Sequence, residues 1–358
     1  DTVAEENKTA YPELTAKADY IKKIIETEEI RFCETINDGL SILEKYTDEL
    51  KAQNSKVLAG DKAFKLYDTY GFPYDITVEI LEEQGFSADR EGFDKCMQKQ
   101  RETARMGRRN ADELAWKEDD FKKKYLDLMT AEFVGYDALS CEAKIKAIVS
   151  GTESFKHADS ESGEVMVLLD KTPFYGEGGG QVGDKGILKT ENALVKVIDT
   201  KKMGSDKFVH VCKVESGVIS EGETVTAEVD ADLRLDTARN HSATHLLQKA
   251  LRIVLGDHVE QSGSFVSNER LRFDFSHYEA VSEQQLKKAE EIVNKAITDA
   301  LEVTCTLMPI EEANKLGAMS LFGEKYSDIV RVVKMGDFST ELCGGTHVAN
   351  TSNIMLFK

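Results

Sequence analysis

Two pairs of metal-type side chains at one spacing constrain this chain more than any other feature. His241 and His245 stand four residues apart in NHSATHLLQKALRIVLG, and Cys343 and His347 repeat that spacing in ELCGGTHV. The first stretch reads as a helix, because Leu246, Leu247, Ala250, Leu251 and Val254 recur at helical intervals. Residues i and i+4 of a helix share a face, so both imidazoles leave the same side. The second stretch is glycine-rich and reads as a turn opening a short helix. Three imidazoles and one thiol form a borderline-soft donor set that suits one zinc ion per chain. Each pair alone is a weak signal, but together they use three of only seven histidines. Four protein ligands would make the zinc structural, and an exchangeable position would make it catalytic. Spacing leaves both open.

The 358 residues predict two or three domains, and 41% hydrophobic residues can build proper cores. No apolar run is long enough to span a membrane, and no secretory signal is evident. Cys33, Cys96, Cys141, Cys212, Cys305 and Cys343 are scattered without disulfide-like spacing, which fits a reduced, cytoplasmic protein. The net charge of −19 argues against a general nucleic-acid surface, so any RNA contact must be a local patch. DNA and membrane partners are not expected.

Residues 1–128 read as a helical domain. Ile21, Ile24, Ile25, Phe32, Ile36, Leu40 and Leu43 recur at three- and four-residue spacing. KLYDTYGFPYDIT interrupts the pattern, and Pro73 disfavours helix at Phe72, so the chain should turn there. Asp75 or Thr77 is the expected cap of the next helix. The aromatic residues of this string fit a core plug equally well. Lys99, Arg101, Arg105, Arg108 and Arg109 face one acid, Glu102, and four of the cations share one helix face. They form either a phosphate-contacting patch or a solvated face. WKEDDFKKKYLDL reads as a charged helical linker. Residues 129–229 read as a small β-barrel, from AKIKAIV, EVMVLLD, ALVKVIDT, KFVHVCKV and TVTAEVD. Within it Gly178, Gly179 and Gly180 precede Gln181. Glycines there allow a tight turn or a close backbone approach. No Lys-Ser/Thr follows them, so this is not a phosphate-binding loop. Residues 230–358 return to mixed helix and strand, ending in an apparent strand, IMLFK.

The strings NHSATHLL, HVEQSGSFVSNERLRFDFSH and CGGTHV resemble, in that order, the editing domain of alanyl-tRNA synthetases. Free-standing alanyl-tRNA editing proteins share that domain, and threonyl-tRNA synthetases carry a relative of it. KLYDTYGFPYDIT, EEIRFCETINDGL and FDKCMQKQRETAR resemble the tRNA-recognition domain of the same synthetases, which the free-standing proteins lack. The resemblance implies a multidomain α+β chain: a helical domain, a β-barrel, then an α/β sandwich of the second-additional-domain type. It also implies that both ends are fragment boundaries. The aminoacylation core, with its ATP and Mg2+, would precede residue 1, and a C-terminal domain would follow residue 358.

By resemblance the activity is hydrolysis of Ser-tRNA(Ala) and Gly-tRNA(Ala), with tRNA(Ala) as partner. An alanine pocket cannot fully exclude glycine, because a missing methyl is worth only about 1–3 kcal/mol, so a second site must sort by another feature. Thr244 and Gln261 are the residues implied to read the small amino acid, and Gly178–Gln181 to border the site. A helix Thr bonding back to a carbonyl is the plainer reading of Thr244. Asp68 is implied to read a G·U pair of the acceptor stem; a turn-capping aspartate is its alternative. No general base is marked by any motif. A free-standing editing hydrolase and a non-catalytic tRNA-binding module with structural zinc are the competing readings.

Overall fold

The amphipathic repeats of the first part do form helices. The computed structural model describes residues 2–101, 121, 123–317 and 328–358. Residues up to Trp116 make one unit and those from Lys117 onward another. In the first, the long helix Ala18–Ala52 buries Leu43 and Leu50 against Leu58, Leu66, Phe72, Leu81 and Phe93. Gly39 is the point of closest approach: a Cβ there would lie 2.1 Å from the Phe72 ring. The helix Gly60–Asp68 ends where Gly71 takes a φ of +68°. Helix Tyr74–Glu83 follows, and its cap corrects the expectation. The N-cap is Pro73, which offers no side-chain bond, while Asp75 lies in the first turn and Thr77 bonds back to the Pro73 carbonyl. Of the aromatic string, Phe72 and Tyr74 are buried and Tyr67 and Tyr70 are exposed, so it is only partly a core plug. A two-strand parallel pair, Val57–Leu58 with Ser87–Ala88, was not legible in the helical pattern. The next helix covers residues 90–101.

In the second unit six strands close into a barrel. They are β1 (Ser140–Ser150), β2 (Glu164–Leu169), β3 (Gly186–Lys189), β4 (Leu194–Lys202), β5 (Phe208–Ser216) and β6 (Thr224–Val229). Their order is β6-β3-β4-β5-β2-β1, and β1 pairs back onto β6 to close the ring. Ile145, Val167, Leu188, Val195, Val197, Cys212, Val225 and Ala227 fill the interior. All six bonded neighbours are antiparallel. Five strands match the periods read from sequence; β3 is short and Gly-flanked and was not anticipated.

One barrel residue carries a pH dependence. His210 on β5 is fully buried, with one ring nitrogen 2.7 Å from Thr172 Oγ1 and the other 3.0 Å from the Val167 carbonyl. Burial holds its pKa down at about 4, against 6.5 for a free imidazole. Unfolding therefore takes up a proton between those values. The neutral ring contributes its full stability above about pH 6.5, and the contribution falls as pH drops toward 4, by roughly 3 kcal/mol at 1.36 kcal/mol per pKa unit. His210→Gln should flatten that part of the stability–pH curve in urea titrations at pH 7.5 and 5. An equal loss in both proteins would remove His210 as the cause.

After the barrel comes the helix Ala231–Leu255, capped by the Asp230 side chain on Leu233 N–H. It carries His241 and His245 as expected. A hairpin, Gln261–Val266 with Leu271–Phe275, and the helix Glu283–Thr298 follow, the latter opened by a Ser282–Gln285 capping box. Strands Val303–Pro309, Ile329–Met335 and Ser339–Leu342 form an antiparallel sheet. Leu246, Ala250 and Leu251 of the histidine helix share a core with Ala289, Val293, Val333 and Met335. Two expectations fail here. The CGGTH segment opens no helix: it runs irregularly until a single 3-10 turn, Thr351–Ile354. The IMLFK end is not a strand, because its polar groups bond to the 283–298 helix, with Phe357 N donating to Asn294 Oδ1. No helix of the described residues is long and apolar enough to cross a membrane.

Candidate metal centre

The two spaced pairs meet. The ligand atoms of His241, His245, Cys343 and His347 all lie within 4.8 Å of one another. Cys343 Sγ is 3.3 Å from His241 Nε2 and 3.3 Å from His347 Nε2. The helix supplies two imidazoles from one face, and the irregular turn wraps thiol and third imidazole against them. Gly345 permits the approach: a Cβ there would lie 2.0 Å from the His241 ring.

Each ring is held by its other nitrogen. His241 Nδ1 is 2.7 Å from Gln181 Oε1, and His245 Nδ1 is 2.5 Å from Glu341 Oε2. His347 Nδ1 is 3.2 Å from Ser242 Oγ. Oxygen acceptors at Nδ1 take the ring proton there and leave Nε2 as a lone pair aimed at the cluster. Nε2 of His245 is buried without a hydrogen-bond partner, which is costly unless a cation satisfies it. Burial alone would push the Cys343 thiol up, but His241, His347 and His245 hold it well below the usual thiol range. Burial keeps His347 down at about 3, hence neutral. Burial opposes charge on His245, yet Glu341 and Cys343 lift it well above the ordinary imidazole range; a metal on Nε2 would displace that proton. A thiolate, three Nε2 lone pairs and fixed tautomers fit zinc.

Gln181 ties the barrel to this cluster. It is fully buried; its Oε1 also accepts from Thr346 N–H at 2.9 Å, and its Nε2 donates to Thr346 Oγ1 at 3.0 Å. The glycines before it are both turn and close approach. Gly179 and Gly180 have φ of +58° and +80°, and a Cβ on Gly180 would lie 2.2 Å from Ser264 Oγ; Gly178 keeps ordinary φ and bonds Gln181 across the turn. A buried ion pair locks the same loop to the histidine helix. Arg234 Nε lies 3.0 and 2.8 Å from the two Asp184 carboxylate oxygens, and Nη2 also reaches Asp184. Nη1 donates to the Gly135 carbonyl and Nη2 to that of Pro173. Arg331 donates to the carbonyls of Cys343 and Gly345, holding the CGGTH turn from the other side.

Thr244 is buried and its hydroxyl donates to the Asn240 carbonyl at 2.9 Å, the plainer reading of that residue. Gln261 is half-buried and donates to Ser264 Oγ at 3.1 Å, one residue-pair from Gly180. In the first unit Asp68 is exposed at the end of its helix and accepts from Gln100 Nε2. Lys99 and Arg101 are exposed on the 90–101 helix; Arg105, Arg108 and Arg109 lie outside the described residues. Sequence reading missed Glu341, Ser242, Arg234, Asp184 and Arg331. Glu341 stands two residues before Cys343, and a carboxylate so near that candidate ligand was the one available signal.

Comparison with known proteins adds to this geometry. Residues 1–233 match the family described as tRNA synthetases class II (A), and residues 330–358 match the threonyl and alanyl tRNA synthetase second additional domain. The whole chain is 51% identical to alanine–tRNA ligases of Thermoanaerobacter sp. (strain X514) and Clostridioides difficile (strain 630), and 48% identical to that of Caldicellulosiruptor saccharolyticus. It covers 100% of its own length and 40% of theirs.

Proposed function

Since the chain belongs to the alanyl-type class II tRNA synthetases, we propose that it recognises tRNA(Ala) and hydrolyses mischarged Ser-tRNA(Ala) and Gly-tRNA(Ala). The carrying observation is the cluster of three Nε2 atoms and one thiolate, its two helix histidines buried and Cys343 and His347 half-buried, braced by Gln181 and Glu341. We read residues 1–128 as the recognition part, 129–229 as the barrel and 230–358 as the editing core, working in the cytoplasm. Its six cysteines are all free, in keeping with a reducing compartment.

His241, His245, Cys343 and His347 would hold the zinc. When bound, the ion supplies a Lewis acid and a fixed point beside the ester end. The other tasks fall to side chains. The Thr244 hydroxyl spends its proton on Asn240 and keeps lone pairs that can accept from a seryl hydroxyl. Gln261 spends one amide proton on Ser264 and retains its carbonyl and second proton to orient substrate or water. Alanine offers no hydroxyl, so a polar site of this kind prefers the seryl ester. Four protein ligands also suit a purely structural zinc, and deacylation decides between the two. Ser-tRNA(Ala) should be hydrolysed at least about fivefold faster than Ala-tRNA(Ala), one lost hydrogen bond being worth roughly 1–3 kcal/mol. Gln261→His should slow the seryl reaction. Tight binding with no hydrolysis of either ester would leave a binding module.

For recognition, Asp68 would accept from an exocyclic amine in the wide minor groove of the acceptor stem, while cations of the 99–109 segment meet phosphates. Asp68→Asn should then narrow the preference for G·U over G·C minihelices by about 1–3 kcal/mol. Equal weakening on both stems would make Asp68 structural.

A further inference from the structure

The carbonyls of Cys343, Gly344 and Gly345 are all taken by side chains. Arg331 Nη1 holds those of Cys343 and Gly345, each at 2.9 Å, and the Tyr136 hydroxyl donates to that of Gly344 at 2.5 Å. The Gly344 carbonyl belongs to the same planar peptide as the Gly345 N–H. That N–H donates to Cys343 Sγ at 3.4 Å. One peptide group therefore joins the Tyr136 phenol to the Cys343 sulfur.

The local sequence does not fix the orientation of that peptide. Both residues it joins are glycines, so no Cβ opposes its turning over. A side chain at 345 cannot supply the restraint, because a Cβ there would lie 2.0 Å from the His241 ring. The restraint has to come from outside the turn, and the Tyr136 ring is well anchored for that task. Its centre lies 4.2 Å from the Arg331 guanidinium carbon and, edge to face, 4.9 Å from the Phe133 ring. Phe133 in turn stacks at 5.5 Å on Phe208 of β5. The phenol is thus carried by the barrel and delivered to the turn that holds the thiol.

We propose that Tyr136 is a positioning residue of the metal centre: its hydroxyl locks the 344–345 peptide with the N–H on Cys343 Sγ, and so tunes the sulfur as a ligand. The proposal rests on the reading of His241, His245, Cys343 and His347 as one metal site. A hydrogen bond to a thiolate draws charge from the sulfur. A carbonyl engaged by a phenol makes the N–H of its own peptide the stronger donor. Without the hydroxyl the peptide turns over, the N–H leaves the sulfur, and Cys343 is held less firmly against the histidine helix.

Cobalt(II) titrated into the whole chain tests this. Cobalt(II) enters nitrogen and sulfur sites of the kind zinc fills, and a cobalt-bound thiolate gives a charge-transfer band whose energy follows the charge on sulfur. Tyr136→Phe keeps the ring for Arg331 and Phe133 and removes only the hydroxyl. The band should move to longer wavelength, because a sulfur relieved of its hydrogen bond gives up charge more readily. Zinc release to a chromogenic chelator should quicken about tenfold, the low end for losing a group that orients a ligand. A hydroxyl with a merely structural role would lower the urea midpoint and leave the band in place. A band unmoved in Tyr136→Phe therefore overturns the proposal, whatever the release rate. If the unaltered chain gives no thiolate band, the four-ligand reading falls and the proposal falls with it. Ser-tRNA(Ala) hydrolysis is followed in parallel on the unaltered chain. A band that moves in Tyr136→Phe, with no hydrolysis by the unaltered chain, upholds Tyr136 and sinks the editing reading alone.

Discussion

Cys343→Ala, purified without added zinc, is expected to lack the metal equivalent proposed for the unaltered chain. Cys343 is the only anionic donor among the four ligand atoms, which lie within 4.8 Å of one another. Structural zinc in small peptides is bound by roughly 10–16 kcal/mol. A quarter of that is about 3 kcal/mol, more than a hundredfold in affinity. The expected order is graded. Removing an oxygen that orients a ligating imidazole typically costs about 10–100-fold, so Gln181→Ala and Glu341→Ala should fall between Cys343→Ala and the unaltered chain. Elemental analysis and zinc release to a chromogenic chelator read both quantities. A full zinc equivalent in Cys343→Ala would refute the ligand set, and unchanged release from both oxygen variants would show that the rings orient themselves.

Breaking the Arg234–Asp184 pair should be the most destabilising single change in the barrel–helix contact. Arg234→Met leaves a carboxylate that is 5% exposed with the Tyr175 N–H but no counter-charge, and leaves the Gly135 and Pro173 carbonyls unmet. Removing one member of a buried pair costs roughly 3–5 kcal/mol, whereas replacing both with apolar groups is often near neutral. Arg234→Met with Asp184→Leu should therefore recover part of the loss, though not all, because the two carbonyls stay unpaired and the Tyr175 N–H loses its acceptor. Denaturant midpoints followed by near-ultraviolet circular dichroism measure this. A single-variant loss below about 1 kcal/mol would show that water reaches the pair.

The gathering of His241, His245, Cys343 and His347 was legible because four-residue spacing is a local property, written in the helix period and in one short turn. Most strands and helices were legible for the same reason. The orienting contacts were not. Gln181 meets His241 across 60 residues and Thr346 across 165, while Glu341 meets His245 across 96. No period links such partners. The helix expected after CGGTH failed because the segment's backbone donors go elsewhere: Thr346 N–H to Gln181 and Val348 N–H to Ser242. The Pro73 cap was missed because proline starts a helix through its fixed φ and not through a side-chain bond. Strand β3 was missed because its four residues draw their definition from neighbours on both sides.

The three-segment construction of the centre also sets a timetable. Gln181 leaves the ribosome first, the histidine pair next and Cys343 last. At about 5–20 residues per second, the interval from His245 to Cys343 is roughly 5–20 s. Throughout it the two imidazoles and the Gln181 amide have neither the Cys343 thiolate nor Thr346 beside them. Zinc capture by all four side chains, as proposed, would therefore be one of the final events in the maturation of this unit.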